Sequence, residues 1–390
     1  MSWGDLAVLP LCRVYEFLPY NDCLAASTAC RHWRFCLSVF KIKRGILRLK
    51  INAESLEKNV FLTNLHGRNL KQLECTLGSS IHDYAKFGEN VLESFCNSTR
   101  LASIRLVPTA KYLALESTKH NNALIQNLMM YLLKLCELPN LSCLNIHGCG
   151  ELTSFAPFLV KRILNKSGFE TLGLAGFRPH LQLSYCPQIF EGFSNLQTLS
   201  VEYTSKVEDL LLTYNDLLPS LKKLCLNVCS RPPQGFRDMN GAWQQWVESH
   251  PNLTVIVNCL CLTGQMLHEL GHRLIRPTLP LEALRVMFCK ALDNDIVRSL
   301  VNYRKTFKEL VWVDAMTTDM LRYNSRIIEA RREQYMRPHT TNPFIMMCWR
   351  CTSLEKIIIH GYWQSPHDIL GMARLRGDTL KALEVSALIP

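Results

Sequence analysis

The sequence contains no apolar run of the roughly 18 residues that a membrane-spanning helix needs. One of its most apolar stretches, LMMYLLKLCEL, is interrupted by Lys134. The opening residues, MSWGDLAVLPLCRVYEF, hold neither a basic leader nor a small-residue cleavage site, which predicts no signal peptide. Also missing is any block of five or six basic residues, although the formal net charge is +11. Basic residues scattered in this way argue against dedicated nucleic-acid binding. No G-x-S-x-G elbow, Walker loop or G-x-G-x-x-G loop occurs, so nothing points to nucleotide chemistry. Charged residues are held to 20% and hydrophobic residues reach 48%, the balance of a globular chain and not of a disordered one.

Cysteine is present in excess, with 17 residues. A secreted chain would use so many in disulfides. Without a leader, a reducing compartment is expected, cytoplasmic or nuclear, and with it free buried thiols. One C-x-x-C occurs, CWRC from Cys348 to Cys351, with no second pair at zinc-ribbon spacing. It lies just ahead of an apolar repeat, and its expected role is structural.

Residues 265–275, QMLHELGHRLI, fit the H-E-x-x-H pattern of zinc peptidases, the alternative function the sequence raises. On a helical wheel Met266, Leu267, Leu270 and Leu274 share one arc about 100° wide, the width of a core stripe. His268, Glu269, His272 and Arg273 fall opposite. A zinc peptidase turns its histidines into a cleft where a third ligand arrives from another element. No G-x-x-H follows His272. The expectation is a surface helix with His268, His272 and Arg273 turned to solvent, and no metal or cofactor.

A repeat accounts for most of the chain. NLKQLEC, RLASIRL, NLSCLNI, FETLGL, NLQTLSV, SLKKLCL, NLTVIVN, LEALRV, FKELVW, SLEKIII and TLKALEV share the form apolar-x-x-apolar-x-apolar. They start at Leu70, Leu101, Leu141, Phe169, Leu196, Leu221, Leu253, Leu281, Phe307, Leu354 and Leu380, most of them 25 to 32 residues apart. That period is the leucine-rich-repeat class, with one short strand per unit and a returning helix or turn. One unit cannot bury its own apolar face, so neighbours stack into a curved solenoid, a parallel sheet on its concave face and helices outside. Cys149, Cys229, Cys261 and Cys289 stand eight residues after a start, where such repeats place Asn or Cys, and are expected to be buried and inert. NALIQNLMMYLLKLCEL reads as a return helix through Leu124, Leu128, Tyr131, Leu132 and Leu135. The same holds for LLLTYNDLLPSL and GAWQQWVESHPNL.

Strand residues between the inward positions point to the concave face, the usual binding surface of a solenoid. They are Glu74, Arg105, Asn145, His147, Glu202, Asn227, Arg285, Val311, Val313, Ile358 and His360. Val311, Val313 and Ile358 form an expected exposed apolar patch, so a protein substrate is expected to dock on Arg285, Val311, Val313, Ile358 and His360. A long step before Leu354 holds an insertion at about residues 316–350, rich in arginine, with Met320, Leu321, Ile327 and Ile328 as a possible helical face.

The first forty residues do not share the repeat. Pro10 suits the first turn of a helix reaching about Leu18, and Pro19 ends it. Asn21 or Asp22 can cap a second helix through Ser27, and a third runs from Ala29 into RHWRFCLSV. Leu9, Leu11, Val14, Phe17, Leu18, Leu24, Trp33, Phe35 and Leu37 are more apolar surface than three short helices can hide. Leu9-Pro10, Phe17-Leu18, Asp22-Cys23-Leu24 and Cys30-Arg31-x-Trp33-Arg34 resemble an F-box, over residues 5–45. With residues 46–390 as degenerate repeats, the layout resembles F-box proteins with leucine-rich repeats. The resemblance implies a non-catalytic substrate receptor of a cullin-RING ubiquitin ligase. Leu9, Pro10, Val14, Leu18 and Leu24 would meet Skp1, Cys30 and Trp33 would pack the F-box, with Trp33 set against the first repeats, and the repeats would hold a protein substrate. The scattered charge and the lack of a long apolar run predict no nucleic-acid or membrane partner. The fold class expected is α/β, a three-helix N-terminus followed by the solenoid.

Overall fold

The computed structural model describes residues 6–18, 20–51, 55–66, 70–77, 87–109, 122–176, 186–229, 237, 239–289, 291–314 and 342–388. It separates into two compact units, Met1–Phe169 and Glu170–Pro390.

The first unit opens with three helices, α1 (Val8–Phe17), α2 (Tyr20–Ser27) and α3 (Arg31–Arg44). Leu11, Cys12 and Tyr15 lie on the inner side of α1 and meet Cys23 from α2 and Cys36, Leu37 and Phe40 from α3. Leu18 leaves the helix in extended conformation, as a residue before proline must. The Tyr15 hydroxyl donates to Trp33 O at 2.9 Å, and the two rings meet edge to face at 6.2 Å. Cys30 accepts from Trp33 N at 3.5 Å and so serves the start of α3. Thus Trp33 packs against this helical core.

Then follow β1 (Ile46–Ile51), α4 (Leu56–His66), β2 (Gln72–Leu77), β3 (Ser103–Pro108), α5 (Asn122–Cys136), β4 (Cys143–Asn145), α6 (Glu151–Ser154) and α7 (Ala156–Arg162). Strands β1 to β4 pair in chain order, all parallel. β1 precedes the first repeat that the sequence pattern identifies. Its signal is plain alternation, with Leu47, Leu49 and Ile51 buried and Arg48 and Lys50 exposed.

The second unit carries β5 (Thr171–Gly173), β6 (Thr198–Glu202), α8 (Ser205–Thr213), β7 (Lys223–Val228), α9 (Met239–Ser249), β8 (Thr254–Leu260) and α10 (Gly264–Arg273). It continues with β9 (Leu281–Met287), α11 (Asn294–Ser299), β10 (Glu309–Val313), α12 (Pro343–Arg350), β11 (Lys356–Gln364), α13 (Pro366–Arg376) and β12 (Ala382–Leu388). Strands β5 to β12 again pair in chain order and parallel. This is an α/β fold of the kind stacked repeats build. Each repeat start is a buried Leu or Phe except Leu380, which is half-buried just before the last strand.

The repeat is also visible in the backbone. The carbonyl one residue past a start accepts two N–H groups from the next repeat. Lys71 O takes Ala102 and Ser103, Ala102 O takes Ser142 and Cys143, and Gln197 O takes Lys222 and Lys223, all at 2.8 to 3.0 Å. Lys308 O takes Glu355 and Lys356 in the same way. The pattern breaks at β8, where Thr254 N donates to Lys222 O but Val255 N turns to Pro280 O. There the β8–β9 register slips between Val255 and Ile256.

That slip corrects one expectation. Cys149, Cys229 and Cys289 are buried, but Cys261 is exposed. It has φ +54° and lies between Leu260 and Leu262, which take the interior places. Of the return helices, α5 buries Leu128, Leu132 and Leu135, and α9 buries Trp243 and Trp246. The CWRC thiols are both buried where α12 ends. Burial pushes Cys348 up to about 12 and Cys351 up to about 11, the opposite of a reactive pair. The apolar positions Met320, Leu321, Ile327 and Ile328 of the insertion lie outside the described residues. Its last part is α12, which sets Phe344, Met347 and Cys348 into the core. No helix among the described residues is long and apolar enough to cross a membrane.

Candidate functional site

Two surfaces gather the residues the sequence singles out. The first is on α1. Leu9, Arg13 and Phe17 follow the i, i+4, i+8 spacing of one helix face, with Pro10 at its edge, opposite the buried Leu11, Cys12 and Tyr15. Leu9 is 65% and Phe17 84% exposed. Val14 and Leu18 are half-buried at the edge of the helical core. The side chain of Leu24 lies outside the described residues. Phe17 belongs with Leu9 and Pro10, although sequence patterning gave it no contact role. Its helical spacing from Leu9 was the available signal. Phe35 on α3 is also 58% exposed.

The second surface is the sheet face away from the helices of the second unit. Register makes Arg285, Val311 and Ile358 neighbours across β9, β10 and β11, and likewise Met287, Val313 and His360. All five expected docking residues therefore share one face. Beside them, the Arg285 guanidinium holds Glu309 through two hydrogen bonds, of 2.9 and 3.2 Å, and Lys356 Nζ reaches the same carboxylate at 3.1 Å. Burial pushes Glu309 up, but the Arg285 and Lys356 contacts outweigh it and hold the carboxyl below its usual range. His360 Nε2 lies 3.7 Å from Glu384.

The apolar patch is not open as expected. Val311 is only 8% exposed, and Val313 and Ile358 are half-buried. Strands stand about 4.8 Å apart, so the long side chains of Arg285 and Ile358 flank Val311 in its row. Further along the same row, Glu202, Asn227 and Asn258 are buried too. Glu202 accepts from Gly176 N at 3.0 Å, Asn227 donates to Gly176 O at 3.0 Å, and Asn258 donates to Asn227 at 2.7 Å. Burial pushes Glu202 up to about 7, only partly offset by the Gly176 hydrogen bond. In the first unit, Arg105 is exposed, Arg48 pairs with Glu74 at 3.2 Å, and Asn145 accepts from His147 N at 2.9 Å.

The HELGH segment is α10, capped by Thr263, with Leu267 and Leu270 buried. His268 and His272 are exposed as expected. Arg273 is not turned to solvent. It donates two hydrogen bonds, of 2.6 and 2.7 Å, to Glu208, whose carboxylate is fully buried on α8 and also accepts from Tyr203. A partner 65 positions away explains what the helical wheel could not. Gly271 stands where a β-carbon would come within 2.6 Å of Ile296, so α10 approaches α11 closely there. Asp293 reaches His268 Nδ1, on the side of the ring away from His272, unlike the third ligand of a peptidase cleft.

No protein-family model matches the chain. The chain resembles F-box only protein 33 of Homo sapiens, with 21% identity across 96% of this chain and 75% of that protein. Against F-box only protein 33 of Mus musculus the identity is 25%, over 29% of this chain and 19% of that protein.

Proposed function

We propose that this chain is the substrate-recognition subunit of a Skp1–cullin–F-box ubiquitin ligase. Residues 5–45 form the F-box. Leu9, Pro10 and Phe17 on α1 meet Skp1, with Val14, Leu18 and Leu24 at the rim of the contact. The repeats from residue 46 onward are leucine-rich repeats that hold a protein substrate, and the ubiquitin chemistry takes place on other subunits in the cytoplasm or nucleus. The observation that carries this reading is the apolar face of α1, left to solvent by a helix whose opposite side is filled. Exposed apolar faces of this kind mark protein contacts. Resemblance to an F-box only protein along nearly the whole chain supports the same reading.

Substrate docking is assigned to the face around Arg285, Val311, Val313, Ile358 and His360. The Arg285–Glu309–Lys356 group gives it a fixed charge pattern, and the half-buried Val313 and Ile358 give it an apolar edge.

Purified full-length chain incubated with Skp1 tests the first contact. Wild type is expected to be retained, and a Leu9→Asp/Phe17→Asp variant to lose retention while its circular dichroism stays unchanged. Retention of the variant at the wild-type level, or no binding by the wild type, would sink the proposal.

A further inference from the structure

We infer that His268 and His272 form a binding site for one divalent transition-metal ion of the zinc class, with Asp293 orienting His268 from behind. The two histidines are one helical turn apart on α10, and their Nε2 atoms face each other at 3.0 Å. Their rings are 81° apart with centroids separated by 4.4 Å. Two nitrogens bound to one tetrahedral ion at about 2.0–2.1 Å lie roughly 3.3 Å apart, so a small opening of the pair admits the ion.

On His268 the tautomer is set for this. Asp293 Oδ2 lies 3.0 Å from His268 Nδ1. A carboxylate only accepts, so the proton sits on Nδ1 and the Nε2 lone pair points at His272. Carboxylate–histidine–metal chains use this arrangement, in which the outer carboxylate fixes the tautomer and orientation of the ring. Asp293 is itself held, because its Oδ1 caps α11 by accepting from Asp295 N at 2.9 Å and Ile296 N at 3.1 Å. A ligand atom of Asp295 lies within 4.8 Å of those of His268 and Asp293, which adds negative charge beside the pair. The close approach of α10 and α11 at Gly271 holds the two helices that carry these groups together.

The site is open on its outer side. Two imidazoles satisfy half of a tetrahedral ion, and water or a group from another molecule supplies the rest. Peptidase chemistry is not implied, since no third protein ligand stands beside both Nε2 atoms among the described residues.

Titration calorimetry of the full-length chain with zinc chloride, in a non-thiol reductant, tests the assignment. Wild type should bind one more equivalent than His268→Asn or His272→Gln, both exposed substitutions that leave every cysteine in place. Asp293→Asn keeps the cap of α11 but removes the charge, and should weaken that equivalent ten- to a hundredfold. Equal stoichiometry in wild type and His272→Gln would overturn the site, as would unaltered affinity in Asp293→Asn. Loss of the ion in Asp295→Asn together with its retention in His272→Gln would place it on Nδ1 among the carboxylates and overturn it too.

Discussion

The N-terminal helices and the strand repeats handle apolar surface in opposite ways. In the repeats, the Leu or Phe at every start except Leu380 is buried, and apolar side chains left outside, such as Phe158, Leu164 and Trp349, lie on the connecting segments and not at the starts. On α1, the inner side is filled by Leu11, Cys12 and Tyr15, while Leu9 and Phe17 remain outside. The same residue type thus carries stability in one region and is available for association in the other. What separates them is whether the chain itself supplies a second layer.

Substitutions can sharpen or break this contrast. The largest expected effect is inside the second unit. Glu208→Ala leaves Arg273 partly buried without its counter-charge and should cost about 3–5 kcal/mol. Urea unfolding read by the fluorescence of the buried Trp243, Trp246 and Trp312 measures it. A Glu208→Leu/Arg273→Leu double variant should regain most of the loss, and failure to do so would mean the pair is not acting as an ion pair. Next, Leu226→Ala, fully buried on β7, should cost about 2–5 kcal/mol by the same readout while leaving Skp1 retention intact. If retention fell with stability, the two regions would not be independent in the way the contrast requires.

Protonation offers a third handle. The Glu202 carboxyl rises from its ordinary value of 4.5 to about 7 in the fold, so the folded state holds its proton longer than the unfolded one. Its contribution is full below about pH 4.5 and is lost as pH climbs to about 7, roughly 3 kcal/mol at most. Glu202→Gln should flatten that window, and parallel stability-against-pH curves for the two proteins would remove the assignment. Smaller still is Gly271→Ala. Crowding against Ile296 works against the helix-propensity gain of alanine, leaving a net loss of about 1 kcal/mol in a thermal melt. The smallest effect closes the contrast. Phe17→Asp should change unfolding free energy by less than about 0.5 kcal/mol, because the ring has nothing to lose on exposure. A large loss there would show that α1 is covered within the chain after all.

Much of the architecture was legible in advance because it is periodic. Ten of the eleven repeat starts are buried, and their strands begin within two residues of them or, at Leu281, on the start itself. The three N-terminal helices could be placed from Pro10, Pro19 and the turn around Ala29. Less visible were features that depend on distant residues. Arg273 turns inward for Glu208, Val311 is closed by its neighbours in the ladder, and Cys261 turns outward at the end of β8, the strand whose pairing with β9 slips by one step near its start. β1 escaped notice because Arg44 stands where the repeat has its leading leucine. For the candidate docking face, the sequence located the residues on one side of the sheet but not their exposure, which depends on what covers them.

The doubly accepting carbonyl that heads several of the repeats has a consequence for how such a chain can change. It joins neighbours through main-chain atoms, so the side chain at that position is unconstrained, as the Lys, Ala, Gln and Glu found there illustrate. What must be preserved is the short strand and its leading apolar residue. Everything between one strand and the next head can lengthen without disturbing the joint, which is how spacings from 25 to 47 residues coexist in a single chain. New binding segments could therefore be inserted between strands, at the step before Leu354 for example, with little penalty to the strands on either side.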